Sequence, residues 1–106
     1  DIVIDAIDDL NAKIALIKKA YPKIISSMGA AKRIDPTKIR IESIWKTNTD
    51  PFAKKVRDRL KKIGFKGDFK VVYSIEKPIE CDMGSFVGVT GAFGFALCSE
   101  VLRDYV

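Results

Sequence analysis

The chain has no histidine, two cysteines and a single tryptophan among 106 residues. Without imidazole it holds no Ser-His or Cys-His nucleophile pair and no histidine metal ligand. Chemistry carried by this chain must use carboxylates, lysines, hydroxyls or thiols. Cys81 and Cys98 stand seventeen positions apart and form no C-x-x-C pair, which excludes a zinc knuckle and a dithiol redox motif. A reduced, cytoplasmic setting is the expectation. Long hydrophobic runs are missing too. The most apolar stretch, residues 84–97, is shorter than the roughly 20 residues a bilayer requires and is interrupted by Gly84, Gly88, Gly91 and Gly94. No basic stretch followed by an apolar core and a small-residue cleavage site occurs, so a soluble chain without a membrane partner is expected.

The length corresponds to one small domain. Nineteen Lys and Arg against fourteen Asp and Glu give a net charge of +5, which permits a polyanionic partner without demanding one.

The most informative segment comes first. Ile2, Val3 and Ile4 run into Asp5, Asp8 and Asp9. A continuous apolar run predicts a strand buried on both faces of a parallel sheet. Ligands of open α/β sheets bind beyond the carboxyl ends of the strands, which places these carboxylates at the best candidate site. Ile7, Leu10, Ile14, Ile17 and Tyr21 then recur at helical spacing, predicting a helix over residues 8–21 capped by Asp8 and stopped by Pro22. Residues 23–27 read as a second parallel strand.

Asp35, Pro36 and Thr37 form a turn before residues 38–44, whose alternation predicts a half-exposed strand. Thr49, Asp50 and Pro51 open a second helix, with Phe52, Val56, Leu60 and Ile63 on its buried face and Gly64 as its stop. Its other face carries Lys54, Lys55, Arg57, Arg59, Lys61 and Lys62. Residues 69–74 are a further strand. Phe86, Val89, Phe93, Leu97, Val101 and Tyr105 predict a last helix, whose glycines are expected to serve close backbone approach.

These segments together carry a resemblance. VIDAIDDLNAKIALI (residues 3–17), IISSMGAAKRIDPTKIRI (24–41), WKTNTDPFAKKVRDRLKK (45–62), VYSIEKP (72–78) and GVTGAFGFALCSEVLRD (88–104) resemble the carboxyl-terminal part of the ThiF/MoeB/HesA adenylating family. Within it, the RIDPTKIRI and KTNTDP segments look most like the tRNA threonylcarbamoyladenosine dehydratase branch. The resemblance implies an α/β fold: the carboxyl-terminal half of a Rossmann-like adenylating domain, a mixed sheet with flanking helices. Residues 1–30 would be a strand-helix-strand of the nucleotide half and residues 31–106 a substrate- and dimer-side portion.

It also implies an ATP- and Mg²⁺-dependent parent enzyme that adenylylates an oxygen. In the dehydratase branch this is the threonylcarbamoyl carboxylate on a tRNA adenosine, which then cyclises. In the sulfur-carrier branches it is the carboxyl terminus of a small ubiquitin-like protein. Asp8 matches the family's catalytic, nucleotide- and magnesium-binding aspartate, and Lys13, Met28 and Gly29 would lie near the nucleotide. The family's G-x-G-G-x-G phosphate loop does not occur in the chain. The expectation is therefore a portion of a longer, dimeric enzyme, inactive alone for want of its amino-terminal half and prone to self-association through its first strand. A non-catalytic binding domain is the alternative from another class. The short junctions at Tyr21-Pro22 and Glu80-Cys81 raise the expectation of omitted loops.

Each candidate has a plainer reading. Asp8 can simply cap a helix, and Asp5 can orient its neighbours at a strand end. The basic residues Lys32, Arg33, Lys54, Arg57 and Lys61 can be a solvated face or a phosphate track for tRNA. Trp45 and Phe52 read as packing residues. Cys81 is a remote candidate nucleophile, disfavoured as a thiolate between Glu80 and Asp82, and Cys98 reads as a small buried apolar residue.

Overall fold

A computed structural model describes residues 2–80 and 87–103. The roles expected of Cys81, Gly84, Phe86 and Tyr105, and the junction at Glu80-Cys81, lie outside the described residues. Strand β1 (Val3–Asp5) is followed by helix α1 (Leu10–Ala20), β2 (Ile24–Ser27), β3 (Ile39–Ser43), helix α2 (Pro51–Lys62), β4 (Lys70–Ser74) and helix α3 (Val87–Arg103). Short 3-10 turns at Pro36–Lys38 and Ile44–Lys46 flank β3. The strand order is β1-β2-β4-β3, with β1, β2 and β4 parallel and β3 antiparallel to β4. This is the mixed α/β sheet with flanking helices that the resemblance implies.

Alternate residues of the central strands feed two cores, as the pleat requires. On one face Ile24, Val71 and Tyr73 meet Ile14 and Ile17 of α1 and Ala53, Val56 and Leu60 of α2. On the other face Ile25 and Val72 meet Val89, Phe93 and Leu97 of α3. Each fully buried Val, Leu or Ile contributes about 1.5–3 kcal/mol, so these three-layer contacts hold the helices on the sheet.

Helix ends follow their side chains. Asp9, not Asp8, caps α1, its carboxylate accepting from Ala12 N at 2.8 Å. With two adjacent aspartates, the cap is the one whose carboxylate reaches a free amide of the first turn. Tyr21 N donates to Ile17 O at 3.0 Å and Lys23 N to Ala20 O at 2.9 Å, forming a tight turn into β2. Asp50 caps α2 with Pro51 at the first helical position. Gly64 leaves α2 at φ 76°, a left-handed conformation that glycine takes without cost.

Several expectations are corrected. The β1 strand is not buried on both faces: Val3 and Ile4 are 37% and 45% exposed, because β1 pairs only with β2 among the described residues. Ile63 lies in the α2 cap and is exposed, and Ala53 takes its place on the buried face. Cys98 is exposed, since α3 buries the stripe Val89, Phe93 and Leu97. The glycines at 91 and 94 do not serve close approach: a Cβ on either would meet no described atom within 4 Å. Trp45 and Phe52 pack half-buried against the first core, as expected.

Candidate active site

The carboxyl end of β1 is built around a buried ion pair. Asp5 and Lys13 are fully buried, and Lys13 Nζ lies 2.6 Å from Asp5 Oδ2. Ser26 Oγ, on the neighbouring strand, donates to the same carboxylate oxygen, while Asp5 Oδ1 accepts from Ile7 N at 2.9 Å. Every described buried side-chain polar atom is paired. Burial pulls the Lys13 ammonium below its ordinary value, against the opposing pull of its hydrogen bond to Asp5 and of the Asp5 and Asp8 charges. Lys13 also lies over the Phe52 ring, 5.7 Å from its centroid. The pair thus clamps the turn through Ala6 and Ile7 that carries Asp8.

Asp8 itself is exposed and has no hydrogen bond or ion pair among the described residues. It stands where two cavities meet beyond the strand ends. The first, about 540 Å³, is lined by Asp8, Ser27, Met28, Thr90, Phe93 and Leu97, with Ala6, Ala30, Ala31 and Gly94 completing its wall. The second, about 480 Å³, shares Asp8, Ala30 and Ala31 and adds Gly29, Lys32, Arg33, Asp50, Phe52 and Lys55. Both volumes suit small-molecule or nucleoside ligands.

Asp50 holds the wall of the second cavity. Its carboxylate accepts from Phe52 N at 3.1 Å, from Gly29 N at 3.0 Å and from Arg33 Nη2 at 3.2 Å. A Cβ on Gly29 would stand 3.0 Å from Asp50 Oδ1 and 3.3 Å from Phe52 Cβ, so a side chain here would press on the Asp50 carboxylate and Phe52. Arg33 further donates to Ala31 O at 2.8 Å, and the Glu76 carboxylate accepts from Asp35 N at 3.0 Å. Sequence reasoning read Asp50 only as a helix opener. The Thr-Asp-Pro signal that identified the cap carried no sign of the two further partners.

The structure sorts the expected site residues into three groups. Asp8, Met28, Gly29 and Lys32 come together around the cavities. Lys13 lies beneath them, buried and committed to Asp5. Of the expected tRNA track, Arg33 is corrected: it is 3% exposed and paired with Asp50, so its guanidinium does not face solvent. Lys54 is exposed but paired with Asp58 at 2.8 Å. Arg57 is tied to Thr47, donating to its backbone oxygen at 3.1 Å. Lys61 is exposed at the far end of α2, roughly 15 Å of helix from Pro51. Lys55, which lines the second cavity, was missed as a site residue because periodicity does not separate it from the other α2 lysines.

Among the described residues no group of three or more His, Cys, Asp or Glu could hold a metal ion. Asp8 remains as a single free carboxylate. That donor set fits Mg²⁺ bound through one carboxylate, water and a ligand's phosphate oxygens, and does not fit an all-protein cage. No helix of the described residues is long and apolar enough to cross a membrane.

No protein-family model matches the chain. It is similar to tRNA threonylcarbamoyladenosine dehydratase of Bacillus subtilis, 49% identical over 82 residues, covering 74% of this chain and 32% of the relative. It is also 43% identical over 81 residues to tRNA threonylcarbamoyladenosine dehydratase 2 of Saccharomyces cerevisiae, covering 74% of this chain and 18% of that protein. Among solved structures, the Escherichia coli tRNA N6-threonylcarbamoyladenosine dehydratase in complex with AMP matches with a TM-score of 0.88 and 34% identity, over 96% of this chain and 46% of that one. The ATP complex of the same enzyme matches with a TM-score of 0.83 and 35% identity. The chain therefore spans less than half the length of each of these relatives.

Proposed function

We propose that this chain supplies the carboxyl-terminal, substrate-side portion of an ATP-dependent tRNA threonylcarbamoyladenosine dehydratase. The observation that carries the reading is the free Asp8 carboxylate at the meeting point of two cavities beyond the parallel strand ends. Similarity over nearly the whole chain to an enzyme solved with AMP and with ATP supports it. In this reading a carboxylate oxygen of the threonylcarbamoyl group attacks the α-phosphorus of ATP, pyrophosphate leaves, and cyclisation expels AMP. The net change is loss of one water from the tRNA nucleoside.

Asp8 would hold Mg²⁺, which supplies charge neutralisation at the phosphates. Met28, in the wall of the first cavity, would line the nucleotide's approach, with Gly29 beside it in the wall of the second. Asp5, Lys13 and Ser26 would act from below, keeping the Asp8 turn in place without touching ligand. The glycine-rich phosphate loop would come from another part of the longer protein, and tRNA and a second subunit would be its partners.

The test is mass spectrometry of tRNA treated with the full-length protein and Mg·ATP. Wild type should remove one water per threonylcarbamoyladenosine. Asp8→Asn should lower the rate roughly 100-fold or more, with an unchanged melting temperature because Asp8 makes no hydrogen bond or ion pair within the described chain. Inactivity of the wild type on tRNA, together with capture of a small carrier protein ending in Gly-Gly, would replace this reading with sulfur-carrier activation.

A further inference from the structure

The two cavities differ in charge. The first is lined by Asp8 and by small and apolar residues, with no cation. The second carries Lys32, Arg33 and Lys55. Arg33 is neutralised by Asp50, but the side-chain ammonium groups of Lys32 and Lys55 have no hydrogen-bond or ion-pair partner among the described residues. They come from two different elements, the segment after β2 and the first turns of α2.

Lys32 adopts φ 63°, a left-handed conformation that disfavours a lysine by about 1–2 kcal/mol. Its carbonyl accepts Ile79 N at 2.8 Å, which fixes the strained backbone at the cavity wall. Strain held at a cleft is a mark of a functional position. Pro51, Phe52 and Pro78 complete the wall with apolar surface suited to the face of a base. From Lys55 basic residues continue along α2 to Lys62, about 10 Å further by helical rise, with Arg59 between them donating to Asn11 Oδ1 at 2.6 Å. That run is longer than a triphosphate can use and matches a strand with repeated phosphates.

Resting on the dehydratase reading, we propose that the second cavity receives the modified nucleoside everted from the RNA strand, with Lys32 and Lys55 gripping the phosphates on either side of it. Asp8 on the shared wall then faces the substituent that reacts. Removing the base from its stack is the general solution for chemistry on a nucleoside within a strand. The paired cations Lys54 and Arg57 have no part in this grip.

The test uses the full-length protein and the double variant Lys32→Gln, Lys55→Gln, with Lys18→Gln as control. Lys18 lies in the last turn of α1, which runs back from the carboxyl ends of the strands toward the start of β2. The double variant should raise KM for tRNA at least tenfold and leave KM for ATP unchanged. Its dependence of log affinity on log salt should flatten by about 1.4, two single-strand phosphates at about 0.7 each. Lys18→Gln should behave as wild type, and all three proteins should melt alike. An unchanged KM for tRNA in the double variant overturns the proposal, as does a raised KM for ATP with tRNA unaffected, which would assign the lysines to the nucleotide. Either result leaves the dehydratase reading standing. A wild type that dehydrates no tRNA overturns both.

Discussion

Asp5 and Lys13 show how much one residue pair can decide. Both are withdrawn completely from water, and their contact is shared with Ser26 Oγ and Ile7 N. A buried pair adds little net stability over an apolar one, but removing one partner strands the other charge, at about 3–5 kcal/mol. Lys13→Met is therefore expected to lower unfolding free energy by about that amount in urea titration, and Asp5→Asn with Lys13→Met to recover part of it. A loss below about 1 kcal/mol in the single variant would mean that water reaches the pair. The pH dependence has a definite sign. Burial holds Lys13 below the ordinary 10.5, so between the lowered value and 10.5 the unfolded chain keeps a proton that the folded chain releases. Stability gains from this group as pH rises through that window, and Lys13→Met should abolish the gain. None of this was legible from spacing. Lys13 sits between apolar positions of an amphipathic pattern, and lysine there normally reads as solvent-facing. The carboxylates of the first strand end were legible; which of them was buried, which capped and which was free depended on contacts to Ser26 and Ala12.

At the scale of elements, apolar runs and periodicity marked the four strands and three helices of the described residues; all but β1, whose Val3 and Ile4 stay exposed, present a side-chain stripe to one of two cores. What periodicity could not show was how edges are finished. The β3 strand ends the sheet among the described residues, and its register with β4, marked by Ile75 N to Lys38 O and Ile44 N to Phe69 O at 3.0 Å each, turns the backbone groups of residues 39, 41 and 43 outward. Two of these positions are occupied by neighbouring side chains. Arg40 Nη1 donates to Ile39 O and Thr37 O, both at 2.9 Å, and Glu42 Oε1 accepts from Ser43 N at 3.0 Å. Charged side chains that take up edge hydrogen bonds are a known guard against strand addition. In a chain whose β1 edge is already blocked by Ile4→Lys, replacing both by alanine, Arg40→Ala with Glu42→Ala, should make sedimentation behaviour concentration-dependent with little change in monomer stability. A variant that stays monomeric at high concentration would mean that the edge is protected by something other than these two side chains.

Among the described residues the opposite edge of the sheet has no such guard. Among the described residues β1 hydrogen-bonds only to β2, and Val3 and Ile4 stand exposed on the last strand of a parallel set. Parallel strands are ordinarily covered on both faces, so this edge is unlike the rest of the sheet. The candidate site lies at the same corner, since Asp5 ends β1 and Asp8 follows it. A solved relative of more than twice this length matches 96% of the chain, and under the function proposed above the sheet would continue past β1 in the longer protein, completing the cleft from that side. This reading makes the effect of one substitution depend on context. In the 106-residue chain by itself, Ile4→Lys should reduce self-association, because a charge on a bare edge opposes pairing with a second copy. In the longer protein the same lysine should be strongly destabilising, because it would be buried without a partner between two strands. Thermal melting of the longer protein with light scattering of the shorter chain measures both halves. A longer protein that tolerates Ile4→Lys without loss of melting temperature would show that β1 remains an edge there, and that the cleft beside Asp8 is closed by some other element.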